Sequence, residues 1–391
     1  MCALKKHSLE KSEERNNYRP GRQINSWLRR YPDLKIAYQT AFHRFIQLPG
    51  VCGLGIGRKF KEKEGCYAPL SNAAGGLCIK VFVRKKRNFD TLTRKERIPQ
   101  YMVVRVPGKG RVRVLLDVVE VGQPSLSATS TPNWPTADRI DVGRRFGFGR
   151  STVSENRGTF RDGEKIMIGT VGSLLVMDSG RTHWATSAGH VFIDVSNGDY
   201  NSPDGDHALG FHEKQWFKIS SDSFLPTNIM KNRHITDAML FKIPGEFVSE
   251  RILWPHGFNG KIATSEDIDA AIRDENTNGL LWVERNGSAQ CLDIDLMVPV
   301  DFFSPLVGSG MNYGFVWQYR YMGDEETIEG DSGSPVFINS AKGNGVRLLG
   351  FHFMHNLDLH HGYAVDANSF FLRLSYIPGR DFIFKGFENI G

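Results

Sequence analysis

The chain has 391 residues, 40% of them hydrophobic and 24% charged, with 41 glycines and 11% aromatics. That length suits two or three globular domains, and high glycine and aromatic content favours β structure over long helices. No run of apolar residues is long enough to cross a membrane. The net charge of +6 divides between 26 Lys+Arg against 10 Asp+Glu in residues 1–125 and 23 against 33 in the remainder.

Residues 1–24 are polar and read as a disordered tail without an apolar signal core. Residues 25–48 space Trp27, Leu28, Leu34, Ile36, Ala37, Ala41, Phe42 and Ile46 among charges, which predicts one or two amphipathic helices. Gly50–Gly57 alternates glycine with small apolar residues. No helix pattern and no Gly-Lys-Ser/Thr follow it, so a glycine-rich strand is expected rather than a nucleotide loop. A strand over Leu77–Val83, a short helix near Thr93–Met102 and a strand pair ending at Leu115–Gly122 complete a small α+β N-terminal domain over residues 25–122. Residues 123–145 contain the Ser/Thr/Pro-rich stretch QPSLSATSTPNWPTA and read as a linker.

From residue 146 to 391 the pattern becomes short strands between Gly, Asn and Asp turns. They are expected at Ile168–Met177, His183–Ser187, Ala238–Ile243, Leu280–Glu284, Tyr313–Tyr321, Ser334–Ile338 and Val346–Phe353, which suggests barrels or a sandwich. Five scattered cysteines without a CxxC pair argue against a disulfide framework and a cysteine zinc site, and point to an intracellular, cytoplasmic protein. His355, His360 and His361 have no carboxylate or cysteine at ligand spacing and read as exposed loop histidines. No metal and no cofactor is expected.

Chemistry concentrates in three motifs. Gly330-Asp331-Ser332-Gly333-Ser334-Pro335 precedes the strand Val336-Phe337-Ile338. A tight turn there would project Ser332 while the amides of Gly330 and Ser332 converge as an oxyanion hole. A serine hydroxyl needs a base, and Thr186-Ser187-Ala188-Gly189-His190 supplies His190 at the end of a strand. Asp237, before the apolar run Ala238–Phe241, would orient that histidine. The separations, 47 residues from 190 to 237 and 95 from 237 to 332, match the about 45 and about 93 of the chymotrypsin arrangement.

With these residues quoted, the region from about Thr170 to Leu374 resembles the chymotrypsin-like serine proteases, in their intracellular trypsin-like branch. Gly308–Gly314 resembles the glycine-rich turn such proteins carry before the nucleophile, and Leu349-Gly-Phe-His-Phe353 their substrate-binding strand. Gly50–Gly57, Leu77–Lys86, Ile98-Pro99 and Asp117–Gly122 resemble the leading domain of narrow-leaf-type trypsin-like peptidases of prokaryotes and plants. The resemblance implies an all-β catalytic part, built as two chymotrypsin-like β-barrels with His190, Asp237 and Ser332 in the cleft between them. It also implies a protein or peptide substrate and a serine endopeptidase activity.

Secreted members pair the aspartate before the nucleophile with a freshly cut N-terminus. The long N-terminal domain here implies that Asp331 has another partner. For the specificity pocket, two readings stand. Glu326, six residues before Ser332, matches the acid that binds a substrate Lys or Arg, and with Glu325 and Glu329 beside it the sequence leans to cleavage after a basic residue. Thr327 with His352 resembles the pocket of glutamyl endopeptidases and viral chymotrypsin-like cysteine proteases, which hydrogen-bond an acidic or amide side chain. The basic N-terminal half could dock a regulatory protein through residues 25–122, bind nucleic acid, or pack on the acidic half. A catalytically silent scaffold, binding peptide or nucleic acid, is the alternative to an active enzyme.

Overall fold

A computed structural model describes residues 31–58, 60–63, 66–69, 77–122, 125–126, 141–150, 166–177, 182–191, 206–212, 215–220, 223–224, 237–243, 245–273, 278–285, 288–302, 315–375 and 382–387. The expected tail, the start of the first helical segment and the Gly308–Gly314 turn lie outside them. The described residues are mostly β, with few helices and a small α+β part. None of the described helices is long and apolar enough to cross a membrane.

Helix α1 (Pro32–Phe45) buries Leu34, Ala37, Tyr38, Ala41 and Phe45, a stripe at three- and four-residue spacing, and starts with proline, whose missing N–H costs nothing there. It covers a sheet made of β1 (Val51–Arg58), β4 (Leu77–Val83), β5 (Tyr101–Val106) and β6 (Gly110–Glu120), beside the hairpin of β2 (Phe60–Lys63) and β3 (Cys66–Pro69). The glycine-rich segment is thus a strand, as expected. The expected helix near Thr93–Met102 is not formed. Phe89–Thr91 is one 3-10 turn, and Glu96 closes a single further turn by accepting from the N–H and hydroxyl of Thr93. Pro99 then forbids continuation, and the chain enters β5 at Tyr101.

The chain continues through the two-residue strand β7 (Ser125–Leu126) and β8 (Arg145–Arg150), β9 (Ile166–Thr170), β10 (Ser173–Met177), β11 (Thr182–Ser187), β12 (Asp206–His212), β13 (Gln215–Ser220), β14 (Ser223–Phe224) and β15 (Met239–Ile243). The strand expected over Ile168–Met177 is therefore two, divided at Val171-Gly172. After these come β16 (Phe258–Ile262), α2 (Ser265–Arg273), β17 (Asn278–Arg285), β18 (Ser288–Phe302), β19 (Phe315–Tyr321), β20 (Pro335–Asn339), β21 (Val346–Asn356), β22 (His361–Asp366), α3 (Ala367–Ser375) and β23 (Phe382–Phe384).

Six of these strands close on themselves in the order β17-β20-β21-β22-β19-β18, because β18 also pairs with β17. Strands that precede the barrel form a five-stranded sheet, β14-β15-β11-β10-β23, completed by the C-terminal β23, and a four-stranded one, β13-β12-β8-β9. The barrel does not end at β18: β1 pairs with it at Gly53↔Phe302 to Gly55↔Val300, so the N-terminal sheet extends the barrel sheet. One apolar core accordingly contains Leu34, Ile56 and Leu116 together with Trp317, Tyr319 and Leu349.

His355 and His361, expected on an exposed loop, are buried strand residues; only His360 matches that expectation. Gln318 Nε2 donates to Tyr363 OH (3.2 Å) and lies 3.2 Å from His361 Nδ1. Burial, with Lys80 and Arg320 adding to it, pushes the His361 imidazole down to about 4. The unfolded chain, with its imidazole near about 6.5, takes up the proton first. Stability from this group is therefore complete above about pH 6.5 and lost as pH falls towards 4, by roughly 3 kcal/mol in total. Urea midpoints at pH 7 and pH 4.5 should differ less in His361→Gln than in the wild type. An identical acid slope in the two would refute the assignment.

Candidate active site

His190 follows β11 directly, in the 3-10 turn Gly189–Val191, and Asp237 stands two residues before β15, the strand beside β11. Adjacent strands thus deliver both side chains to one place from 47 residues apart in sequence. His190 Nδ1 lies 2.7 Å from Asp237 Oδ2, and the His190 N–H donates to Asp237 Oδ1 at 2.7 Å. The carboxylate therefore grips ring and backbone together. On the other side His190 Nε2 is 2.8 Å from Ser332 Oγ, and all three residues are buried.

Ser332 stands on a turn cross-braced to the strands opposite. The Ser332 carbonyl accepts from the N–H of Thr170 (2.7 Å), whose hydroxyl donates to the Gly330 carbonyl (2.8 Å). Gly333 has φ 102°, and a Cβ there would lie 2.1 Å from the Thr170 carbonyl, so no other residue fits without moving β9. With Gly330 at φ 96°, the backbone reverses sharply before the serine. Among the described residues, neither the Gly330 nor the Ser332 amide donates to a backbone acceptor outside helices and strands. Two such donors beside a nucleophile can stabilise a developing oxyanion.

The carboxylate of Asp331 is wholly buried and turns inward. Its Oδ1 receives Arg145 Nη2 at 2.9 Å and its Oδ2 the N–H of Ile328 at 2.9 Å. The internal partner expected for Asp331 is therefore Arg145, the first residue of β8. The motifs pointed to neither Arg145 nor Thr170; the aspartate before the nucleophile implied another partner but gave no sign of which residue it was.

The pocket residues separate. Glu326 pairs with His360 on the turn before β22. The buried Thr327 hydroxyl is 2.5 Å from Tyr321 OH and 3.2 Å from His355 Nδ1. His352 is fully buried, with Nδ1 2.6 Å from Tyr319 OH. Thr327 thus meets His355 rather than His352, and the two imidazoles sit 6.4 Å apart, centroid to centroid. Burial pulls the His355 imidazole down, against the pull of Asp331 and Glu326. Among the described residues no cluster of His, Cys, Asp and Glu could hold a metal ion.

No family model and no curated protein matches the sequence. Similar solved structures include the active form of the Rv3671c protease of M. tuberculosis, at 15% identity over 65% of this chain and 93% of that one, with a TM-score of 0.35. Another is the NS6 protease of murine norovirus 1, at 14% identity over 50% of this chain and 89% of that one, with a TM-score of 0.26. Likenesses this distant carry no weight beside the geometry of the site itself.

Proposed function

We propose that this chain is a serine endopeptidase of the chymotrypsin-like type, acting inside the cell, with Ser332 as nucleophile, His190 as general base and Asp237 as its orienting partner. The observation that carries the reading is the hydrogen-bonded chain Asp237–His190–Ser332, at 2.7 and 2.8 Å. His190 Nε2 takes the proton as Ser332 Oγ attacks the scissile carbonyl, and Asp237 stabilises the imidazolium that results. The amides of Gly330 and Ser332 receive the oxyanion. His190 then protonates the leaving amine, and water hydrolyses the acyl-enzyme by the same route reversed. A fluorophosphonate probe is expected to label the wild type and to leave Ser332→Ala unlabelled. A wild type that stays unlabelled would remove the enzyme reading in favour of a scaffold.

For the primary pocket, the geometry favours cleavage after Glu or Gln over cleavage after a basic residue. Glu326 already has a cationic-capable partner in His360, which a substrate Lys or Arg would have to displace. Thr327 and His352, by contrast, sit in a buried group of hydroxyls and imidazoles suited to an acidic or amide side chain. In a peptide library, Thr327→Val is expected to lower cleavage after Glu or Gln by about 10- to 100-fold, and Glu326→Gln to leave the preference unchanged. Cleavage mainly after Lys or Arg, lost in Glu326→Gln, would overturn this.

The N-terminal unit is read as regulatory, able to engage a protein partner, rather than as an independent nucleic-acid module. The core and sheet it shares with the barrel support that role, because any load on it reaches the strands that carry the site.

A further inference from the structure

The edge of β21 that faces the nucleophile can be followed residue by residue. Phe351 pairs with Pro335, and the His352 N–H and carbonyl exchange hydrogen bonds with Ser334 and Gly333 (2.8 and 2.7 Å). Ser332 Oγ then lies 3.4 Å from the Phe353 carbonyl. Here β20 and its turn leave the edge, and the next two rows belong to another segment: Met354 pairs with Leu126 and His355 with Ser125. The opposite edge of β21 is occupied over the same rows by β22. Strand β7 is antiparallel to β21, as β20 is. Its direction therefore runs from the His355 row through the Met354 row towards the row of Ser332.

An extended peptide adds to a sheet through an open strand edge, with main-chain hydrogen bonds giving affinity and alternate side chains giving selectivity. The rows next to Ser332 that β20 leaves, and that β7 takes, are those of Met354 and His355. A substrate lying there antiparallel to β21 would bring its next carbonyl to Ser332. On the reading of Ser332 as a nucleophile, we infer that Ser125–Leu126 is a built-in occupant of the strand slot for the acyl side of a peptide substrate, so that a substrate binds by displacing it.

The approach of the chain to this slot is built in as well. The carbonyl of Val121, at the end of the N-terminal sheet, accepts from Asn356 Nδ2 at 2.7 Å, one row beyond His355. Gly122 follows with φ 57°, and a Cβ there would lie 2.6 Å from Asn356 Nδ2. The glycine lets β6 turn onto the edge of β21, and Asn356 fastens the turn. Displacing β7 therefore pulls on the end of β6, which links the N-terminal unit to access to the site.

Two probes test this on the full-length protein: a small fluorophosphonate, which needs only Ser332 and its base, and a phosphonate whose peptide arm copies Gln123–Ser127. In Ser125→Pro/Leu126→Pro both strand N–H groups are gone and the slot is vacated. If the wild-type slot is open about a tenth of the time, the rate of labelling by the peptide probe should rise about tenfold in the variant, against a small-probe rate that holds within about twofold. Gly122→Ala, which disturbs only the approach, is expected to raise the same ratio. A ratio unchanged in both variants overturns the proposal. Failure of the small probe on the wild type itself removes the protease reading first, and is seen separately from the ratio.

Discussion

Asp237→Asn is expected to lower kcat by about 10⁴-fold while leaving the protein folded. The geometry gives the reason. Asp237 Oδ1 accepts the backbone N–H of His190 and Oδ2 faces His190 Nδ1, both at 2.7 Å. An asparagine keeps the first bond with its carbonyl oxygen. Its amide then presents an N–H to Nδ1, which must become an acceptor. The ring proton moves to Nε2, and the atom 2.8 Å from Ser332 Oγ changes from base to donor. The fold keeps its packing, so thermal melting should barely move while peptide turnover and fluorophosphonate labelling collapse together. A variant retaining a tenth of wild-type turnover would show that Asp237 does not set the tautomer.

The sequence made these three residues visible because each sits at a strand end with a short, constrained surround: Thr-Ser-Ala-Gly-His, Asp before an apolar run, Gly-Asp-Ser-Gly. Strands such as β4, β11 and β20 were legible for a related reason, since short apolar runs bounded by turn residues have few alternatives. Helices α2 and α3 were not foreseen. Each is nine residues long, and each is set by a local cap: Asp267 accepts from the N–H and hydroxyl of Thr264, and Asp366 from the N–H and hydroxyl of Ser369. The Thr-x-x-Asp pattern before α2 was the signal available. The error at Thr93–Met102 is the same lesson reversed, since a capping pattern was present there but a proline three residues on ended it.

What no local pattern could supply is pairing between distant segments. Nothing in Ser125-Leu126 marks it as the neighbour of Met354-His355, and nothing in Gly53–Gly55 announces Val300–Phe302. Such contacts are decided by the closed barrel, which leaves particular edges open at particular rows. The histidines illustrate this: His355 and His361 look like loop residues beside Asn356 and Asp358, yet they belong to two long strands that bury them.

Arg145→Met is expected to lower kcat by about 10²- to 10³-fold with a much smaller change in KM, and to destabilise the fold by about 3–5 kcal/mol. Asp331 has no exposed surface, and Arg145 meets its Oδ1 at 2.9 Å from the start of β8, 186 residues away. Removing the guanidinium takes the Arg145 cation from a buried carboxylate that also accepts the Ile328 N–H at 2.9 Å. The cheapest relief is for Asp331 to rotate towards water, and Asp331 lies between Gly330 and Ser332, whose amides are the proposed oxyanion donors. Its rotation would turn the peptide before Ser332 and misdirect the Gly330 donor, a loss felt in the transition state and hardly in substrate binding. Replacing both partners, in Arg145→Met/Asp331→Leu, removes the stranded charge and should recover most of the stability. Recovery of kcat in the double variant would show that the pair only avoids a penalty. Stability restored with kcat still low would show that the Arg145–Asp331 bridge holds the oxyanion turn in its working shape. A single Arg145→Met variant with kcat within about threefold of wild type would refute the role altogether, since one misaligned oxyanion donor costs far more than that.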